Sequence, residues 1–316
     1  MYGWIRVGED VGWMVVNACI ILAVAPLVEG FVRKLAARIQ GRIGPPLVQP
    51  YRDLKKLFAR RALTAPTTAS DVLYRLGPVA VFATVLCACS LVPTVVSRPL
   101  ALSSFILVFY LLALTRFVSS ITALNVPNPF SAISASREHM LSLGVEPAAL
   151  FAAAIAMLIT GSTSIGSEIE LLPPALVVHG AAYILALVAF ALAMIADLAL
   201  PPFDVAEAEQ EIYEGPLAEY GGPYLALLKL SIACKRVAMM SLFIAIFIPF
   251  GIATSVSWWI GSSIAIYLAK LFVIATVATL ICVASARLRV WDASRYLLLS
   301  VAISILAGII YILRVM

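Results

Sequence analysis

The sequence predicts an all-α polytopic membrane protein of about eight transmembrane helices, and three observations carry that expectation. Charged residues make up 12% of the chain, about half the roughly 25% usual in soluble domains. Hydrophobic residues make up 63%, more apolar surface than a soluble fold of this size could hide but a composition that lipid tails solvate. The apolar residues run continuously instead of alternating, which suits helices and argues against a barrel of strands.

A spanning helix needs roughly 20 mostly apolar residues. Eight stretches qualify, at 11–27, 72–95, 100–124, 147–161, 174–196, 225–251, 258–284 and 296–313. The fourth is short enough that its start could lie inside the connection before it. The first has neither a basic n-region nor an A-x-A-like exit, so it is read as a retained helix. No soluble domain or internal repeat interrupts the pattern. The whole of 1–316 therefore reads as a single transmembrane domain, with connections at 30–71, 125–146, 197–223 and 285–295.

With eight spans both termini share one side. The connections after spans 1, 3, 5 and 7 hold Arg33, Lys34, Arg38, Arg42, Arg52, Lys55, Lys56, Arg60, Arg61, Arg75, Arg137, Arg287, Arg289 and Arg295. The other side holds only Arg6, Arg98 and Arg314. Lys and Arg favour the cytoplasmic face, so the loops are expected in the cytoplasm of a cell membrane and both termini outside. The net charge of +5 then follows from topology. It marks contacts with anionic headgroups or acidic protein surfaces, not nucleic acid.

The five cysteines, Cys19, Cys87, Cys89, Cys234 and Cys282, all fall in apolar spans without metal-type spacing. They read as small buried hydrophobes, and the chain is expected to bind no iron–sulfur cluster, zinc or other cofactor itself. In the first loop, a turn-forming stretch from Gln40 to Pro46 precedes Gln49 and Pro50. The basic, amphipathic segment 51–61 follows, and Pro50 suits the first turn of a helix. Such a helix could lie at the interface with Leu54 and Phe58 toward lipid and Arg52 and Lys55 toward water. A plain basic anchor is the alternative.

The connection after span 5 breaks the positive pattern. Pro201 and Pro202 open it, and Gly215-Pro216 closes it. Between them Asp204, Glu207, Glu211 and Glu214 share one helix face. Glu209 points elsewhere, and Asp197 and Glu219 flank the segment. Carboxylates packed this closely repel, and burial would add to the push toward protonation, so they would titrate as a coupled set. That suits a proton-accepting vestibule. A solvated acidic loop that docks a basic partner has the same composition. Ionisable residues inside the spans add Lys270 near the middle of span 7 and Arg116 toward the cytoplasmic end of span 3. They also add Lys229, Lys235 and Arg236 in span 6, and His179 near the outer end of span 5. Charges within a bilayer cost several kcal/mol unless paired or hydrated, and are functional candidates by default.

Two long motifs then carry a resemblance. The stretch Ala37-Arg38-Ile39-Gln40-Gly41-Arg42-Ile43-Gly44-Pro45-Pro46, continuing through Gln49-Pro50-Tyr51-Arg52-Asp53-Leu54-Lys55-Lys56-Leu57, resembles a signature of the eight-helix membrane subunit of respiratory complex I, the NuoH family. That family includes anchor subunits of energy-converting (group 4) membrane-bound nickel–iron (NiFe) hydrogenases. Pro202-Phe203-Asp204 with Ala206-Glu207-Ala208-Glu209-Gln210-Glu211 is similar to its acidic loop, and Arg287-Leu288-Arg289-Val290-Trp291-Asp292 to its last cytoplasmic loop. The segments from Ala135 to Met140, Glu146-Pro147 and Glu214 to Tyr220 look most like the hydrogenase branch. The quinone-reducing branch has Glu-Thr-Asn-Arg-Ala before Pro-Phe-Asp. Here Asp197 keeps the acid, while Leu200 stands at the arginine position.

The resemblance implies a non-catalytic subunit of a membrane oxidoreductase complex. It would anchor a peripheral arm made of a hydrogenase-like large subunit and an iron–sulfur small subunit, and would sit beside antiporter-like membrane subunits. Iron–sulfur clusters and nickel–iron would belong to those partners. Asp197, Asp204, Glu207, Glu209, Glu211 and Glu214 would begin a route for H+ or Na+, continued by Glu146, Arg116 and Lys270. Arg42, Gln49, Asp53, Arg137, Arg287 and Arg289 would hold the docking loops. The alternatives are the quinone-site subunit of a NADH- or ferredoxin-linked quinone reductase and, from another class, an independent secondary ion transporter. The absence of inverted-repeat character argues against the transporter.

Overall fold

A computed structural model describes residues 2–62, 70–96, 103–165, 168–206, 215–251 and 260–315. Within them lie nine α-helices: α1 Tyr2–Ile39, α2 Gln49–Phe58, α3 Asp71–Leu91, α4 Phe105–Leu124, α5 Pro129–Thr160, α6 Glu168–Asp197, α7 Gly222–Phe247, α8 Ile260–Ala284 and α9 Val290–Val315. All but α2 are long and apolar enough to cross a membrane, which makes the chain a multi-pass membrane protein. Short 3₁₀ turns at Asp204–Ala206 and Gly215–Glu219 complete the described connection after α6.

Local chemistry sets the helix ends. Ser70 caps α3, its hydroxyl accepting the Leu73 amide at 3.4 Å. Asn128 caps α5 by accepting the Phe130 amide at 3.0 Å, and Pro129 fills the first turn, where no amide donor is needed. Gly161 ends that helix with a left-handed φ of 72°. These signals correct two expected boundaries. The connection expected over 125–146 is helical from Pro129, because Asn128-Pro129 starts a helix that the residues up to Pro147 have no reason to break. The connection expected from residue 30 likewise begins only after Ile39. Helix α6 carries a break at His179, whose φ of −116° and ψ of 21° are not helical.

Small residues set the packing. In lipid, helices gain little from burying apolar area against each other, so close approach through small side chains counts for more. Ala182, Ala186, Ala189 and Ala193 form a fully buried stripe on α6, and Ala148, Ala152 and Ala156 do the same on α5. These two helices and α9 form one side of the bundle, while α1, α3 and α8 gather on the other side. Helix α7 runs between them: 78% of its most apolar stretch is buried, against 22% for α9.

The expected amphipathic segment is α2, with Pro50 buried in its first turn. It packs on α1 and α7. Leu54 is half-buried, Arg52 and Lys55 are exposed as expected, and Phe58 is exposed as well. Its seat depends on Gly30 of α1: a Cβ there would lie 2.1 Å from the Leu47 carbonyl oxygen. The Tyr51 hydroxyl also donates to the Ala23 carbonyl.

The connections after α1, α4, α6 and α8 meet at one end of the bundle. Arg287 pairs with Asp204 at 3.0 Å, and the Leu288 amide donates to the Pro202 carbonyl at 3.1 Å. Arg137 donates to the Val205 carbonyl at 3.3 Å. Asn128 donates to the Glu219 carboxylate at 2.7 Å, and the Tyr74 hydroxyl to the Glu219 carbonyl at 2.8 Å.

Candidate functional site

Below that loop-rich end, four spans each contribute one charged residue to a single cluster. Arg116 of α4 donates through Nη1 to Glu146 of α5 and through Nη2 to Asp197 of α6. The Lys235 ammonium of α7 lies 3.4 Å from the same Asp197 oxygen. The Arg116 and Asp197 side chains are 6% and 3% exposed, Lys235 17% and Glu146 40%. At a 1.5 Å rise per residue, Arg116 lies about 12 Å from the loop-side end of its helix and Lys235 about 20 Å.

The electrostatics follow from this placement. Two cations face two carboxylates, so the set is formally neutral. Asp197 sits at the C-terminal end of α6, where unpaired carbonyls already create negative potential. Arg116 and Lys235 make an ionised carboxylate tenable there. The second oxygen of Asp197, Oδ2, is buried and has no hydrogen-bond partner among the described residues. Asp197 lines a cavity of about 110 Å³ whose polar wall includes Ser119, Ser134, Glu138 and Ser142. That space suits several water molecules. The site therefore combines an acid–base group, fixed counter-charges and a polar void.

The turn that follows Asp197 is held from α7. Ala199 adopts a left-handed φ of 46°, a conformation that costs a non-glycine residue about 1 kcal/mol. Arg236 donates to the Leu198 carbonyl at 2.7 Å and to the Ala199 carbonyl at 3.3 Å, clamping that turn. Asp204 lines a second cavity of about 330 Å³. Ala199, Leu217, Ile232 and Arg236 border both cavities, so one thin wall separates the loop carboxylate from the buried cluster.

Of the expected pathway residues, Asp197, Glu146 and Arg116 come together, and Asp204 lies at the next cavity. Glu207, Glu209, Glu211 and Glu214 lie outside the described residues. Lys270 does not join the cluster. Its ammonium donates to the Ile248 carbonyl at 2.6 Å and to that of Phe250, at the far end of α7, where orphan carbonyls attract a cation. Among the loop residues, Arg137 and Arg287 tie the 202–206 segment down. Gln49 donates to Asp53 within α2 at 2.8 Å, and Arg42 and Arg289 are exposed. Sequence reasoning placed Lys235 inside a span without pairing it with Asp197, and did not foresee Glu138 on the cavity wall. Glu138 lies on the part of α5 where hydropathy predicts a loop. Among the described residues, no group of three His, Cys, Asp or Glu side chains is arranged to hold a metal ion.

Comparison with known proteins agrees with this architecture. The sequence matches the NADH dehydrogenase family over residues 11–313. It is 38% identical to hydrogenase-4 component C of Escherichia coli K12, over 83% of this chain and 84% of that protein. It is 37% identical to formate hydrogenlyase subunit 4 of the same organism, over 75% and 77%. The fold superposes with a TM-score of 0.82 on a chain from the membrane-bound sulfane sulfur reductase, an archaeal respiratory membrane complex. Identity there is 23%, with 95% of this chain and 99% of that one covered. With eight spans, a buried charge cluster beneath the loops and a family match over nearly its whole length, the chain belongs to the NADH dehydrogenase family of complex I subunit 1-like membrane proteins.

Proposed function

We propose that this chain is the membrane subunit that couples electron transfer in a peripheral arm to ion movement across the bilayer, in a complex of the hydrogenase-4 or formate hydrogenlyase type. The observation that carries this reading is the Arg116–Glu146–Asp197–Lys235 cluster with its unpartnered Asp197 oxygen facing a polar cavity. The loop-rich end faces the cytoplasm, as the Lys and Arg distribution predicts, and both termini lie outside. On that face the partners are a NiFe-hydrogenase-like large subunit and an iron–sulfur small subunit, which carry the redox cofactors. Antiporter-like subunits lie beside it in the membrane. The similarity to proteins named as a subunit and a component of larger assemblies supports this over an independent transporter.

The ion enters among the carboxylates of 204–214, passes the wall shared by the two cavities and reaches Asp197. A change of charge or loop position in the peripheral arm acts on Asp204 through its tie to Arg287, and so shifts the proton affinity of the acidic set. Asp197 exchanges a proton on Oδ2 while Oδ1 stays paired with Arg116 and Lys235. Glu146, the most exposed member, continues the route.

The test is ion uptake by proteoliposomes containing the purified complex, with H+ and Na+ followed separately against electron transfer. The paired substitution Glu207→Gln and Glu211→Gln is expected to leave assembly and electron transfer intact and to lower the number of ions moved per electron. An unchanged ion-to-electron ratio would remove the coupling role.

A further inference from the structure

Two carboxylates border the cavity beside the charge cluster, Asp197 and Glu138. Asp197 is held by Arg116 and Lys235, and Glu146 is held by Arg116. Glu138 is half-buried and has neither a hydrogen bond nor an ion pair among the described residues. It lies near enough for its charge to act on Arg116. Ser134, Glu138 and Ser142 follow one another at four-residue steps along α5, and all three border the cavity. The helix therefore turns a polar stripe toward that space, and Glu146 is the next step along it. At a 1.5 Å rise per residue, Glu138 lies about 12 Å nearer the loop-rich end than Glu146. Its neighbour Arg137 donates to the Val205 carbonyl. Phe203 and Leu217, on either side of the acidic connection, border the same cavity. Glu138 thus stands between the loop carboxylates and Asp197.

We propose that Glu138 is the proton carrier of this cavity, taking a proton from the loop side and passing it, through water filling the cavity, to Oδ2 of Asp197. This deepens the coupling role proposed above and rests on it. In the transfer an O–H bond breaks at Glu138 and one forms at Asp197, and no electron moves. The charged groups that face Glu138 are Arg116 of α4, Asp197 of α6, and Lys235 and Arg236 of α7. Arg236 is engaged with the Leu198 and Ala199 carbonyls. Protonating a paired carboxylate forfeits the attraction of its pair, whereas Glu138 has no pair to lose, so the proton reaches Glu138 first. Passing it on leaves the formal charge of the site unchanged, which spares a poorly solvated space the cost of a new net charge. Oδ2 of Asp197, buried and without a hydrogen-bond partner among the described residues, is the open acceptor.

The experiment measures ions moved per electron by the whole complex in proteoliposomes, and titrates its carboxylic acids by infrared difference spectroscopy. The Asp197 band is identified by its loss in Asp197→Asn. Glu138→Gln keeps the shape and removes the acid, and should lower the ion-to-electron ratio. Glu138→Asp should recover part of that ratio, with a displaced pH profile. Removing the Glu138 charge also lowers the proton affinity of Asp197. Its acid band should therefore appear in Glu138→Gln at a pH lower by about one unit, the coupling at which two sites titrate as a pair. A full ratio in Glu138→Gln, beside a lowered one in the Glu207 and Glu211 pair, would overturn the inference and leave the coupling role standing. A full ratio in both would remove the coupling role and this inference with it. A lowered ratio with the Asp197 titration unmoved would make Glu138 a structural residue only, and would also overturn it.

Discussion

Replacing Arg116 with Met should destabilise the protein far more than replacing Asp197 with Asn. Arg116 is the one group that touches both carboxylates of the cluster. Its removal leaves Asp197 buried, at the negative end of α6, with only Lys235 at 3.4 Å as a counter-charge. Breaking a buried pair from one side costs about 3–5 kcal/mol, because the stranded charge keeps its desolvation penalty. Asp197→Asn instead removes that carboxylate and strands only Lys235, whose side chain is 17% exposed against 3% for Asp197 and so keeps part of its hydration. Arg116 keeps Glu146, and the cost is that of weakened charged hydrogen bonds, about 1.5–3 kcal/mol. At roughly 2 °C per kcal/mol for a protein of this size, the expected falls in unfolding temperature are about 6–10 °C and 3–6 °C. Heating in detergent followed by fluorescence-detected size exclusion measures both. The double variant should be more stable than Arg116→Met alone, since the two residues are in direct contact and their effects do not add. A fall for Arg116→Met no larger than that for Asp197→Asn, or a double variant less stable than either single, would refute the reasoning.

Gly30→Ala should unseat α2, because its Cβ would meet the Leu47 carbonyl oxygen at 2.1 Å. A loss of about 1–3 kcal/mol and faster proteolysis of the 40–60 loop would register it. Ala199→Gly should stabilise the turn after α6 by up to about 1 kcal/mol, by relieving its left-handed backbone, read as a rise in unfolding temperature. Lys270→Met should cost about 1–3 kcal/mol by leaving the Ile248 and Phe250 carbonyls without their donor. Lys270→Arg should recover much of that, and the ion-to-electron ratio in proteoliposomes should be unchanged in both.

The sequence made the spans legible because lipid demands long, uninterrupted apolar runs, and nothing else in this chain looks like them. It was less informative where helices leave the hydrocarbon. The polar first turns of α5 read as loop by hydropathy alone, although Asn128-Pro129 already carried a start signal. The same limit explains the cluster. Arg116, Asp197 and Lys235 each stood out as charges in or beside apolar spans, but their pairing depends on which helix faces meet. Hydropathy is blind to that, since α6 turns an alanine stripe toward its neighbours and has little amphipathic contrast. Lys270 shows the converse. A charge in mid-span suggests ion handling, whereas the partners found are carbonyls just past the C-terminal end of a neighbouring helix. That end could not be located without the fold.

The cluster also has a history in time. Arg116 is made 81 residues before Asp197, the carboxylate it is buried against, and 30 before Glu146. At about 5–20 residues per second, roughly 4–16 s separate the two ends of the Arg116–Asp197 contact during synthesis. Through that interval α4 carries an arginine that opposes its insertion by about 2.5–3.5 kcal/mol. Glu146 relieves part of this when α5 follows, and Asp197 the remainder only once α6 is complete. The apolar residues of α4 carry its insertion, but the charge it takes into the bilayer is neutralised only by sequence made after α4 leaves the ribosome. A chain that stops short of Asp197 leaves Arg116 with Glu146 as its one counter-charge in the cluster, and in such a chain the quality-control machinery of the membrane meets a half-satisfied charge to recognise.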